Sequence, residues 1–87
     1  MSSQVVMYST AICPYCQMAR RLFKDKGVAF TEIRVDQHPG KRAEMMQKSG
    51  RRTVPQIWIG DAHVGGFDDA YALERNGKLD ALLKEQK

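Results

Sequence analysis

Two cysteines separated by a proline and a tyrosine, Cys13-Pro14-Tyr15-Cys16, stand at the junction of two different hydrophobic patterns. Before them, Val5 to Tyr8 is a short apolar run with β-branched residues, the mark of a buried strand. After them, Cys16, Ala19, Leu22 and Phe23 recur at helical spacing, with Arg20, Arg21 and Lys24 mostly off that face. Pro14 fits the first helical position, where its missing N–H costs nothing, and Gly27 is a suitable stop. The first third of the chain therefore reads as a strand, a short loop and a helix whose first turn carries both sulfurs.

The rest continues the alternation. Val28 to Val35 reads as a second strand, with Ile33 and Val35 on one face, and the helix between the two strands favours a parallel pair. His38-Pro39-Gly40 is a break; Pro39 to Lys48 is a helix with Ala43 and Met46 inward, ended by Ser49-Gly50. Gln56 to Ile59 is a third strand, which Gly60-Asp61 turns back into a fourth, Ala62 to Val64, as an antiparallel hairpin. Asp68 to Arg75 is a helix with acidic residues in its first turn and Asn76-Gly77 as its stop, and Leu79 to Glu85 is a last short one. The order β-α-β-α-β-β-α gives an α/β fold, a four-stranded mixed sheet flanked by helices on both faces. Strands buried on both faces need not alternate, which accounts for Val5-Val6-Met7 and Ile57-Trp58-Ile59.

With 87 residues, the chain has room for a single domain, 1–87. No apolar run approaches the ~18 residues of a membrane-spanning helix. Met1 to Tyr8 lacks a basic segment and a long apolar one, so no secretory signal is visible. These readings make it a cytoplasmic protein with no membrane partner. A net charge of +4 permits nucleic-acid binding without implying it. Seven aromatics and no groove-reading motif argue against a nucleic-acid partner.

The position of the cysteines gives them their chemistry. Cys13 falls at the N-cap, facing unpaired backbone N–H groups and the positive end of the helix dipole, which favour its thiolate over that of a free cysteine. Cys16 sits one turn in and faces the core. An exposed thiolate beside a second thiol is the arrangement for thiol–disulfide exchange. A structural zinc site would need four ligands; only His38 and His63 remain, without a short paired spacing, so no metal is expected. His38 reads as a solvated loop residue and His63 as lying on an exposed hairpin strand. Met45 and Met46 read as helix packing, and Trp58 as sheet covering.

Taken with Thr53-Val54-Pro55, Gly65-Gly66 and Asp68-Asp69, the cysteine tetrapeptide makes the chain resemble the dithiol glutaredoxins of the bacterial type, which have the thioredoxin fold. The match runs from about Val5 to Leu83. The resemblance implies a glutathione-dependent oxidoreductase with Cys13 and Cys16 as its redox pair. Its co-substrate is glutathione, and its substrates are glutathionylated proteins and protein disulfides such as those of the ribonucleotide reductase type. It implies a monomer and a cis peptide at Val54-Pro55. It assigns Tyr15, Thr53, Val54, Pro55, Gly66, Phe67, Asp68 and Arg52 to the glutathione groove. The backbone of Val54 would pair with a thiol peptide as in strand addition. Asp68 would take the γ-glutamyl ammonium, and the N–H groups of Phe67 and Asp68 its α-carboxylate. Asp69 is equally well read as a helix cap. The alternative in the same family is a glutathione-ligated [2Fe–2S] carrier. One departure stands out: many members carry a lysine three residues before the first cysteine, where this chain has Thr10. Arg51, Arg52 and, more weakly, Arg42 are the candidates to replace its charge.

Overall fold

The computed structural model describes residues 4–85. β1 (Val5–Ser9) lies inside the sheet. β2 (Phe30–Arg34) runs parallel to it on one side, with Val5 opposite Phe30 and Ser9 opposite Arg34. β3 (Gln56–Ile59) runs antiparallel on the other, with Val5 opposite Ile59 and Tyr8 opposite Gln56. β4 (Ala62–Gly65) closes the row antiparallel to β3, with a register irregularity between Ile57 and Trp58. The spatial order is β2-β1-β3-β4.

The two-residue period of a strand sends alternate side chains to opposite faces. Val5, Met7, Ile57 and Ile59 meet α1 (Pro14–Asp25), α3 (Phe67–Arg75) and α4 (Lys78–Glu85) through Ala19, Phe23, Ala70, Leu79 and Leu83. Tyr8 and Trp58 point the other way and meet α2 (Pro39–Ser49) through Met45. Helices thus cover both faces, as the alternation predicts. The faces are unequal. Burying a large apolar side chain contributes about 1.5–3 kcal/mol, and α2 is attached by one such residue. Polar contacts supplement it: the Tyr8 hydroxyl donates to Glu44 at 2.5 Å, and the Lys48 ammonium lies 5.1 Å from the centre of the Trp58 ring.

Two expectations are corrected. In α2, Met45 is the buried residue, while Ala43 and Met46 are exposed. β2 begins at Phe30 instead of Val28, because Val28 belongs to the end of α1. Its N–H donates to the Phe23 carbonyl at 2.9 Å, and the Gly27 N–H donates to Lys24 at 3.0 Å. That is a Schellman stop, and Gly27 takes the left-handed φ of 70° it requires. His63 lies exposed on β4, as expected. Its ring stacks on Trp58 with centroids 4.5 Å apart, and its Nε2 lies 2.8 Å from Gln56 Oε1. The other boundaries move by one or two residues, the usual uncertainty of an element's end.

Candidate active site

β1 delivers the chain to Ser9, and a short loop then brings Cys13 to the start of α1. Cys13 is the N-cap, with extended φ and ψ of −154° and 106°, and Pro14 follows as the first helical residue. The Cys16 N–H donates to Cys13 Sγ at 3.2 Å, so the sulfur occupies the place of a capping oxygen. Cys13 is buried to 8% exposure, which corrects the exposed thiol expected at a helix start. Its cover is the cis Val54-Pro55 turn, whose Val54 carbonyl lies 3.8 Å from Cys13 Sγ. Cys16 is fully buried. Burial is the main reason its thiol is pushed up to about 12, and hydrogen bonding to Cys13 adds to it; the Thr10 backbone and the Arg20 charge pull the other way.

Beside the sulfurs lies a cleft of about 300 Å³. It is lined by Tyr15 from α1, by Arg51, Thr53, Val54 and Pro55 from the segment before β3, and by Gly66, Phe67, Asp68 and Asp69 at the start of α3. Seven of the eight residues assigned to a groove from the sequence thus come together. Arg52 does not: it is exposed and outside this lining, where its carbonyl accepts from Arg42 Nη1 at 3.5 Å. Arg51 is the cation in the cleft. Its Nη1 lies 3.0 Å from Asp69 Oδ2. The same carboxylate oxygen accepts from the Gly66 N–H at 3.0 Å, capping α3. That N–H, followed by Arg51, holds the Asp69 carboxyl below its ordinary range. Asp69 is therefore committed to the helix start, and Asp68 lines the cleft beside it. A larger, more open hollow of about 630 Å³ lies between β2 and the start of α2; neither cysteine lines either cavity, but of the two it is the smaller cleft that includes Val54, whose carbonyl reaches Cys13.

Thr10 brings no charge to the site, but its carbonyl accepts from Arg20 Nη2 at 3.2 Å. Arg20 also donates from Nε to Glu32 Oε2 at 2.7 Å, and the Ser9 hydroxyl donates to that same oxygen. No short-range sequence signal marks this network, because Glu32 comes from a different strand.

A sequence model described as glutaredoxin matches residues 5–64. A glutaredoxin of Pseudomonas aeruginosa is 62% identical over 79 residues, covering 91% of this chain and 94% of that protein. Among solved structures, a glutaredoxin from Brucella melitensis superposes with a TM-score of 0.87 at 52% identity, over 99% of this chain and 94% of that one. A buckwheat glutaredoxin–glutathione complex does so with a TM-score of 0.87 at 34% identity, over 93% of this chain and 76% of that one. The fold is the thioredoxin-like α/β fold. The chain belongs to the glutaredoxin family and is a glutathione-dependent thiol oxidoreductase.

Proposed function

We propose that Cys13 is the attacking thiol, that Cys16 resolves, and that the cleft beside them holds glutathione. The observation that carries this is the placement of Cys13 Sγ. It accepts the Cys16 N–H at the helix start, next to the Val54 carbonyl. The Cys16 N–H already aimed at this sulfur needs no rearrangement when the sulfur attacks. In the single-thiol route, the Cys13 thiolate attacks the glutathionyl sulfur of a protein–glutathione mixed disulfide. The protein thiol leaves and glutathione stays on Cys13. A second glutathione thiolate then attacks that sulfur, frees Cys13 and departs as oxidised glutathione. In the two-thiol route, Cys13 attacks a protein disulfide, and Cys16 then attacks Cys13, leaving a Cys13–Cys16 bond.

Within the cleft, the Val54 backbone pairs with the glutathione backbone as an added strand. Asp68 takes the γ-glutamyl ammonium, and the N–H groups of Phe67 and Asp68 take its α-carboxylate. Gly66 keeps the backbone low enough for this approach, while Thr53, Pro55 and Tyr15 form the walls. Arg51, present in the cleft where Arg52 is not, supplies the charge that Thr10 does not. Support for glutathione as the ligand comes from the buckwheat relative, whose structure is of a glutaredoxin–glutathione complex. The whole chain acts as one domain, as a monomer in the cytoplasm, on glutathionylated proteins and on protein disulfides of the ribonucleotide reductase type. The [2Fe–2S] carrier reading is not favoured: Pro14, fixed at the first position of α1, stiffens the loop that a bridging cluster would need to bend.

The test is an assay of Cys13→Ser and Cys16→Ser with glutathione and two substrates, a glutathione mixed disulfide and a protein disulfide. Cys13→Ser loses both activities. Cys16→Ser keeps the first and loses the second. Turnover by Cys13→Ser would overturn the assignment.

A further inference from the structure

Arg20 lies one helical turn beyond Cys16 on α1, and the sequence places it mostly off the apolar face. The structure draws it inward. Its side chain and that of Glu32 are each only 24% exposed. Its Nε donates to Glu32 Oε2 at 2.7 Å, and its Nη2 contacts the same oxygen and donates to the Thr10 carbonyl at 3.2 Å. Ser9, fully buried at the end of β1, gives its hydroxyl to that carboxylate too. One arm of the guanidinium is thus anchored on β2, and another holds the loop that leads to Cys13.

Half-burying two charges carries a desolvation penalty that bracing by apolar side chains would avoid. The arrangement has a direction, however. Residues four apart lie one above the other on a helix, so Arg20 stands one turn above Cys16, with its guanidinium tied to the Thr10 carbonyl on the Cys13 side of the loop. Cys16 is where a cation is useful, because burial opposes the loss of the proton it must give up before it attacks.

We infer that Arg20, aimed by Glu32 and Ser9, is the positioning residue of the resolving step: it holds the Thr10 carbonyl in place and sets a positive charge beside Cys16 that favours the attacking thiolate. This rests on the two-thiol route proposed above. In that step the Cys16 thiolate attacks Cys13 Sγ and a Cys13–Cys16 bond forms. The bond from Cys13 to the substrate sulfur breaks, and that sulfur leaves as a thiolate with the bonding pair. One disulfide is exchanged for another, and the proton Cys16 gave up goes to water. While Cys13 is in the mixed disulfide it carries no charge, so Arg20 is the charged group left acting on Cys16. Cys13 and Arg20 are the titratable groups that bear on Cys16. From β2, Glu32 and Arg34 bear on Arg20.

The experiment loads Cys13 with thionitrobenzoate from the corresponding aromatic disulfide and follows the coloured thiolate released when Cys16 closes the ring. Glutathione takes no part, so this outcome is separate from that of the glutathione cleft. A tenfold smaller thiolate fraction is offset by about threefold greater nucleophilicity, so losing one pK unit of stabilisation slows closure about threefold. Arg20→Gln is expected to slow release by about that factor or more across neutral pH, and Arg20→Lys to recover most of the loss. Glu32→Gln keeps an oxygen for Arg20 while removing the opposing charge, and is expected to speed release. It also carries the test should Arg20→Gln fold poorly. Release by Arg20→Gln at the wild-type rate overturns the inference, as does slowing by Glu32→Gln, which would mean that the network only braces the loop.

Discussion

Gly65 has φ +111°, and a Cβ there would overlap the Asp69 carboxylate and come to 3.0 Å from Arg51 Nη1. The residue is thus determined twice, by its backbone and by the ion pair packed on it. Gly65→Ala is expected to lower stability by about 1–3 kcal/mol, read from the urea midpoint. It should also weaken glutathione binding, since Asp69 and Arg51 would have to move. An unchanged midpoint would show that the β4–α3 turn yields freely. The neighbouring charge question has a direct test. If Arg51 supplies the missing cation, Arg51→Gln raises the KM for glutathione roughly 2- to 5-fold, the range of a solvent-exposed ion pair of 0.4–1 kcal/mol. Thr10→Lys then changes it by less than about twofold. A large gain from Thr10→Lys would mean that the cation was still lacking. The sequence reading puts Arg52 in the groove and names Arg51 only as a candidate charge, whereas the cleft holds Arg51. They are adjacent, in a segment with no regular period before a cis proline, and only the path of that segment decides which one enters the cleft.

The helices differ in how firmly they are attached, and in how legible they were. α1 shows a clear face in sequence, and Cys16, Ala19 and Phe23 are buried as their spacing predicts. α2 has three apolar side chains, Ala43, Met45 and Met46, within four positions, too close together to mark one face. The choice of Met45 is made by the partner layer, where Tyr8, Trp58 and Val35 receive it. Met45→Ala is therefore expected to cost about 2–5 kcal/mol, and Met46→Ala far less, in the same unfolding measurement. On the opposite face, Lys26 at the end of α1 bridges Glu74 of α3 and Asp80 of α4, each at 2.7 Å. Lys26 holds the Asp80 carboxyl below its ordinary range. Asp80 and then Glu74 hold the Lys26 ammonium above its own. A carboxyl lowered in the folded state stabilises it above the unfolded value near ~3.9, and that share is lost as pH falls through the folded value. A raised ammonium stabilises below ~10.4, and its share is lost as pH rises through the folded value. Lys26→Met should thus be destabilised relative to wild type by a constant amount between about pH 5 and 9, with the gap closing in strong acid. A gap that persists at pH 2 would assign the loss to packing.

Across the whole molecule, the site was legible because topology gathers segments that are separate in sequence. The end of β1 lies beside the start of β3, with Tyr8 opposite Gln56, and the end of β4 reaches the same edge, with Gly65 opposite Ile57. The residues after β1, before β3 and after β4 must therefore meet, and they carry Cys13, Val54-Pro55 and Gly66 to Asp69. What sequence could not give was the side-chain partners across strands, Glu32 for Arg20 and Asp69 for Arg51, because each depends on rotamers set by packing. The same scale decides how an anionic substrate approaches. The cleft itself holds Arg51 against Asp68 and Asp69, a local balance that repels anions, while the chain as a whole carries +4. Which sign governs depends on distance. The Debye length shrinks from about 30 Å at 0.01 M salt to about 10 Å at 0.1 M, so the distant positive charges count only in dilute salt. With the overall charge steering encounter, kcat/KM for glutathione should fall between 0.01 and 0.1 M salt, then flatten as only the cleft's own charges remain in range. A kcat/KM that rises with salt instead would mean that the acidic pair at the start of α3 already dominates at the distance where encounter is decided.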